Sequence, residues 1–518
     1  MTINERRSLP LWKKLLAILI SIIAFGFQTL LIVLFIILLV SFEEELYKTI
    51  IGIIYLSFQI VGIFYILYIL RKNISLNYKL TWTFLILIAP IPFCILYTLN
   101  SNSKNLSRKK LKKFNNAFKD YKVDYDDKID DDFEYKEIIN PLIHNHHNIP
   151  FFKNIKYTYF NDIVDKHKDM LEELKKAQKY ILLEYFIIAE GKLMDSLYDV
   201  LEDRANNGVK IYLLYDEVGS KAILVRKLVK RLSKLPNLEI NNYQPLGQNL
   251  SLMFNYRDHR KMCVIDGKIT YCGGDNLADE YIRVKERFGY WRDNCGKYEG
   301  KISIAFAFMF SQMWYLSTKK IITDKLDPIE YEIENQPGYF MAFGDGPSTL
   351  KTPAYDVFMS MIINAKKYLY ISTPYLIIDE AMLKAIETKA KCGVDVRILM
   401  PGIPDKKPVY YMGRSSYSRL LKSGVKIYEI NGCFNHAKNI IADDKYAFEG
   451  TINMDYRSLF LHYECGVIIM DNPEIFKMKE DFLNALNNSK EVIKEEWDRR
   501  PLIQKIIAFI LNIFAPFF

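Results

Sequence analysis

The sequence predicts an α/β protein in which one domain occurs twice, preceded by apolar N-terminal helices. Three observations predict this. A strand–helix–strand pattern begins near residue 150 and returns near residue 365. One compact polar motif occurs in each copy with the same internal spacing. Ahead of both, residues 15–99 hold three long uncharged runs.

The chain has 518 residues, room for two to four domains at roughly 100–200 residues each. Half of the residues are hydrophobic and 14% aromatic, which excludes a disordered chain. Lys and Arg number 70 against 61 Asp and Glu, a net charge of +9. That mild basicity points to an anionic partner, membrane lipid or nucleic acid. The seven cysteines are odd in number and form no Cys-x-x-Cys. A disulfide scaffold and a structural zinc module are therefore disfavoured, and a reduced compartment is the simpler reading.

The apolar runs are Leu15–Phe42, Thr49–Leu70 and Leu80–Leu99. A bilayer core needs about 20 apolar residues as helix. The first run is too long for a signal peptide and lacks a small-residue cleavage site. Arg6, Arg7, Lys13 and Lys14 precede it, Glu43, Glu44 and Glu45 follow it, and Arg71, Lys72 and Lys79 follow the second run. Basic flanks stay inside, so two spans with the N-terminus inside are expected. The third run contains Pro90 and Pro92 and is followed by Lys104, Arg108, Lys109, Lys110, Lys112 and Lys113. It is expected to enter and return, or to lie in the interface, because proline breaks a helix interior. The reading is a cell-membrane, multi-pass protein with everything after residue 100, the two copies included, on the cytoplasmic side.

Residues 1–103 are thus a membrane segment and 104–149 a charged linker, with nine acids against four lysines over 118–137. His144, His146 and His147 read as a polar loop, since no carboxylate or Cys stands at ligand spacing. Residues 150–345 and 346–490 are the two copies, and 491–518 a tail. In the first copy Tyr180–Ile188 reads as a buried strand, Met194–Asn206 as a helix and Val209–Tyr215 as a second strand. Gly208 ends the helix. Ala177-Gln178-Lys179-Tyr180-Ile181 returns as Ala365-Lys366-Lys367-Tyr368-Leu369, and Gly208-Val209-Lys210-Ile211 as Gly393-Val394-Asp395-Val396. A repeat this long is a duplicated domain whose copies can face each other around a pseudo-twofold axis.

The motif is His259, Lys261, Asp266 and Asn276 in the first copy, and His436, Lys438, Asp443 and Asn453 in the second, offset by 177 throughout. Residues i and i+2 of a strand share a face, so each copy presents an imidazole and an ammonium together. The glycines before each Asn, Gly273-Gly274 and Gly450, fit a tight turn. Pooled, the two sets make a phosphate site: cations neutralise the oxygens and the imidazoles flank phosphorus. Asp266 and Asp443 lie five residues past Lys, so alternation points them away from it.

This pattern, His-x-Lys, four residues, Asp, six residues, then Gly-Gly/Ser/Thr-x-Asn, twice per chain, resembles the phospholipase D superfamily. Asn255-Tyr256-Arg257-Asp258-His259-Arg260-Lys261, Gly289-Tyr290-Trp291-Arg292-Asp293 and Gly450-Thr451-Ile452-Asn453-Met454-Asp455-Tyr456-Arg457-Ser458 look like the bacterial cardiolipin synthases. The resemblance implies two α/β/α sandwich domains and phosphatidyl transfer between two phosphatidylglycerol molecules, releasing glycerol. It implies active-site residues His259, Lys261, Asp266, His436, Lys438 and Asp443, and no metal or other cofactor. One imidazole would form a phosphohistidine, and the other would protonate the leaving glycerol. By analogy His259 is the nucleophile and His436 the acid/base. Asp293 and Glu464 are candidates to orient the histidines, and Asn276 and Asn453 to bind phosphate oxygens. The partners expected are phosphatidylglycerol, other anionic phospholipids and the membrane, without nucleic acid. Residues 506–518 are too short to span and read as an interfacial anchor with Trp497, Arg499 and Arg500. The alternatives are a hydrolytic phospholipase D, a nuclease of the same superfamily, and a lipid-binding scaffold with dead motifs. The apolar runs disfavour the nuclease, and the intact motifs disfavour the scaffold.

Overall fold

The computed structural model describes residues 45–72, 74, 76–101, 108–119, 129, 133–145, 149–221, 223–243, 256–323, 326–329, 333, 335–347 and 352–515, with a few isolated helical positions before residue 45. The first apolar run therefore lies almost wholly outside the described residues, as do His146 and His147. Two compact units are present. One holds residues 1–110, 246–255 and 512–518, and the other 111–245 and 256–511.

In the N-terminal unit the second apolar run forms helix Glu45–Leu70. Among the described residues, one helix is long and apolar enough to cross a membrane, over Gly52–Leu70. The third run is not one helix but two, Leu76–Ile88 and Pro90–Ser101. Trp82 and Tyr97 would stand about 22 Å apart on a straight helix, yet their ring centroids are 5.2 Å apart. The run therefore folds back on itself at Ala89–Pro90, where proline removes a backbone donor. The Tyr65 hydroxyl lies 3.0 Å from Thr98 Oγ1, tying the long helix to the hairpin.

The second unit contains two sheets of the same design. The seven-stranded sheet runs Lys156–Phe160, Cys295–Glu299, Ile269–Gly273, Lys261–Ile265, Tyr180–Tyr185, Lys210–Asp216, Leu238–Tyr243. The nine-stranded sheet repeats that order as Tyr339–Asp345, Glu464–Met470, Tyr446–Gly450, Asn439–Ala442, Tyr368–Ser372, Asp395–Pro401, Lys426–Ile430. Phe151–Phe152 and Ser489–Glu491 add its two edges. The three strands 180–185, 210–216 and 238–243 are parallel, and the first two bury nearly every position, as strands covered on both faces do. Helices Ile163–Lys175, Lys192–Asn206 and Arg226–Leu232 cover one face of the first sheet through Met170, Leu197, Leu201 and Leu228. Its other face shares a core with the second sheet: Tyr157, Met262, Cys272 and Tyr298 pack with Phe340, Tyr370, Cys465 and Val467.

Two boundaries differ from the sequence reading. Tyr339–Asp345, assigned to the first copy, is hydrogen-bonded into the second sheet against Glu464–Met470. The segment 104–149 is not simply a linker. Helix Lys136–Asn145 includes His144, placed in a loop from sequence, and buries Ile138, Ile139 and Leu142 against Phe151, Met341 and Met361. An isolated acidic count over 118–137 hides the apolar stripe at 138, 139 and 142, which is helical spacing.

Asp266 and Asp443 are implied as active-site residues by the motif, while alternation points them away from Lys as residues that hold the fold of the site. Each sits at the opposite end of its strand from Lys, in the turn after Ile265 or Ala442. Both adopt left-handed backbone, with φ of 53° and 59°, a region Asp tolerates better than most residues. From there the Asp266 carboxylate accepts from the N–H groups of Gln178, Lys179 and Tyr180 at 2.8 Å. Asp443 does the same for Lys366, Lys367 and Tyr368. Each aspartate thus starts the neighbouring parallel strand. Asp266→Ala is expected to cost about 3 kcal/mol, since it strips three amides, the buried one of Tyr180 among them, and a buried amide left unpaired costs about 1–3 kcal/mol. Denaturant unfolding measures it, and a loss below about 1 kcal/mol would show that the amides find other partners.

Candidate active site

The two halves meet by exchanging carboxylates. His259 Nδ1 lies 2.8 Å from Glu464 Oε1, and His436 Nδ1 lies 2.6 Å from Asp293 Oδ2. The motif histidine of each half is therefore held by the acid of the other. The backbone is reciprocal too: His259 N–H donates to the Tyr463 carbonyl at 2.9 Å and His436 N–H to the Arg292 carbonyl at 2.7 Å. A short parallel ladder, Tyr290–Arg292 with Cys433–Asn435, carries Asp293 to His436.

The motif glycines follow from this crossing. A Cβ on Gly273 would sit 2.4 Å from the Asn294 carbonyl oxygen, and one on Gly450 2.5 Å from that of Cys465. The next position differs between the halves. Gly274 leaves room for Asp293, whose Oδ1 would lie 1.9 Å from a Cβ there. Its counterpart Thr451 instead donates its hydroxyl to Glu464 Oε2 at 2.5 Å.

Burial sets the protonation states. Both histidines are 7% exposed, and Asp293 and Glu464 are buried. Burial, then the nearby lysine ammoniums, hold both imidazoles well below the usual histidine range. Each is neutral in the free site. A carboxylate at Nδ1 fixes the Nδ1–H tautomer and leaves Nε2 with a lone pair. Burial lowers Lys261 to about 8 and Lys438 to about 7, opposed by the charges of both Glu464 and Asp293. Each lysine thus feels the acids of both halves. Their Nζ atoms donate to the carbonyls of His259 and His436 respectively. Burial raises Asp293 to about 6.

The two Asn positions are not equivalent. Asn276 Oδ1 accepts from Ile187 N–H at 2.9 Å and its Nδ2 donates to the Tyr281 hydroxyl at 2.6 Å, so most of its amide is committed to the fold. Asn453 Oδ1 is buried without a hydrogen-bond partner.

Sequence reasoning missed three features. An aromatic collar surrounds His436: the ring centroids of Trp291, Phe434 and Tyr281 lie 5.5, 5.6 and 5.9 Å away. Phe186 stands 4.9 Å from His259. Exposed Lys406, at the start of helix Lys407–Gly413, contributes to the field on both imidazoles. Finally His462 lies beside His259, with ring centroids 5.2 Å apart. The sequence showed no metal-ligand cluster near either motif, yet His259, His462 and Glu464 bring one ligand atom each within 4.8 Å of the others. The signals were faint: aromatic enrichment at 288–291 and a histidine two residues before Glu464.

A double-histidine site built by two like domains is that of a phospholipase D-like protein. The family model described as cardiolipin synthase, PLD-like domain, matches residues 170–287 and 358–486. The cardiolipin synthase 2 of Bacillus anthracis is 32% identical over 86% of this chain and 88% of its own length. An uncharacterized protein of Streptococcus mutans is 36% identical over 87% of this chain and 99% of its own. Among solved structures, phosphatidylserine synthase of Haemophilus influenzae shares the fold. Its TM-score is 0.55 at 16% identity, covering 73% of this chain and 97% of that one. The chain belongs to the cardiolipin synthase family.

Proposed function

We propose that the protein is a membrane-bound phosphatidyltransferase that makes cardiolipin and glycerol from two phosphatidylglycerol molecules. The observation that carries this is the pair of neutral imidazoles, each oriented by a carboxylate from the other half. His259 Nε2 attacks phosphorus of the first lipid. As the lipid binds, His436 Nε2 takes up one proton from solvent; the bond from phosphorus to the headgroup glycerol oxygen breaks, and that oxygen takes this proton from His436 Nε2. The phosphodiester anion and Asp293 together stabilise the imidazolium needed for this step. Glycerol leaves, and the headgroup hydroxyl of a second phosphatidylglycerol gives its proton to His436 as its oxygen attacks phosphorus. The P–N bond to His259 breaks, restoring both histidines. Lys261 and Lys438 neutralise the non-bridging oxygens; Asn453, with its unpaired amide oxygen, and Asn276 support the lipid headgroup. Asp266 and Asp443 act through the fold.

The aromatic collar favours transfer over hydrolysis, because it leaves little polar surface to hold an attacking water. Membrane attachment rests on helix Glu45–Leu70 and on the tail, where Leu502 and Phe509 are each 70% exposed on helix Leu502–Ile513. That helix suits an interfacial position, and a second span, the re-entrant hairpin and a cytoplasmic catalytic face complete the proposed topology.

Product analysis tests this reading. Purified protein with phosphatidylglycerol in mixed micelles is expected to release cardiolipin and glycerol in equal amounts, in excess chelator and without nucleotide. Phosphatidic acid as the main product would instead make it a hydrolase.

A further inference from the structure

We propose that His259, His462 and Glu464 form a binding site for a zinc-like divalent ion, and that this ion switches the enzyme off. Glu464 Oε1 stands between the two imidazoles, 2.8 Å from His259 Nδ1 and 3.5 Å from His462 Nδ1. All three residues are buried. Two imidazoles and one carboxylate are a ligand set that zinc and its transition-metal neighbours take. Magnesium and calcium prefer all-oxygen sites, so the donor set discriminates against them.

A second observation points to the same place. His462 is 9% exposed, and its Nδ1 has no hydrogen-bond partner beyond the long 3.5 Å approach to Glu464 Oε1. An unpaired buried polar atom is costly unless a ligand meets it. His462 is not needed to orient His259, which Glu464 already holds. Thr451 fixes the other oxygen of Glu464 at 2.5 Å, the kind of outer contact that steadies a metal ligand.

Binding would block the chemistry through one atom. The metal takes the Nδ1 lone pair of His259, so the ring proton moves from Nδ1 to Nε2. Nε2 is then an N–H and has no electron pair with which to attack phosphorus. Removal of the ion returns the proton to Nδ1 and Glu464 to its role as acceptor.

The test uses the full-length protein in detergent with zinc or cobalt as probe. Zinc is expected to lower activity at least about tenfold at one equivalent, with full recovery in chelator and no effect of equal magnesium. Cobalt is expected to give one equivalent of weak visible bands without thiolate charge transfer. In His462→Asn, normalised to its own activity in chelator, the half-inhibitory zinc concentration should rise by about 10–100-fold, and the cobalt bands should vanish. His259→Ala should also lose the bands, whatever its activity. Wild-type protein without inhibition or bands would overturn the proposal. So would bands that persist in both variants. Strong charge transfer would move the metal to Cys272 and Cys465, whose sulfurs lie 3.6 Å apart, and would equally refute it. The inhibition arm rests on the proposed transfer reaction, whereas the cobalt arm does not, so the two readings fail separately.

Discussion

His259→Ala and His436→Ala are each expected to abolish phosphatidyl transfer, because one site uses both imidazoles in different roles. General acid–base assistance alone is worth about 10²–10⁴-fold, and loss of the nucleophile should cost at least as much. The division of labour is read from a rapidly quenched reaction with labelled phosphatidylglycerol, in which the label is expected on His259. His436→Ala should still accumulate some label with a lipid whose leaving group needs no protonation, whereas His259→Ala should accumulate none. Label on His436 would exchange the roles. Robust activity in both variants would defeat the two-histidine mechanism.

Asp293→Asn should cost on the order of 10³–10⁴-fold in kcat, the scale seen when a carboxylate that fixes a catalytic imidazole's tautomer becomes an amide. An amide can present N–H to Nδ1 and strand the proton on Nε2, or leave the imidazolium without a counter-charge. Burial raises Asp293 to about 6, so the wild-type kcat/KM should fall as pH drops through about 6 and the carboxylate takes a proton. The opposite limb belongs to Lys438, lowered to about 7, whose ammonium is lost as pH rises. A narrow maximum between these values is expected in kcat/KM. The basic limb should move upward in kcat, because the bound phosphodiester anion favours the ammonium. The acid limb should disappear in Asp293→Asn. An unaltered profile in that variant would remove Asp293 from the mechanism.

The duplication was legible because His259, Lys261, Asp266 and Asn276 recur at a constant offset, and because one strand–turn unit fixes those spacings. Lys and Asp stand five apart because Lys261 opens a five-residue strand and Asp266 is the first residue of the turn after it. The turn aspartates even pointed the right way by alternation. What could not be read was which acid serves which histidine. Asp293 and Glu464 were visible as acids downstream of each motif, but the exchange between halves depends on how two sheets dock, and no local spacing encodes it. His462 escaped for a related reason, since only the approach of Glu464 from the second sheet gives it a neighbour in His259. Helix 136–145 was hidden by the charge of the residues before it, and the Tyr339–Asp345 strand by its long distance from the partner it pairs with.

The exchange of carboxylates has a consequence for synthesis of the chain. His259 is translated more than two hundred residues before Glu464, the acid that orients it, and His436 waits for its own half to dock on Asp293. A nascent chain that has completed only its first domain carries an imidazole with no fixed tautomer and no partner acid. Such a chain is chemically silent, even if its apolar N-terminus has already brought it to the lipid. Competence is expected in one step, after the ribosome has passed the last strand of the second sheet, Ser489–Glu491, and that sheet closes on the first. By the same arrangement, proteolysis between the two motifs that lets the halves part removes the partner acid from both histidines at once.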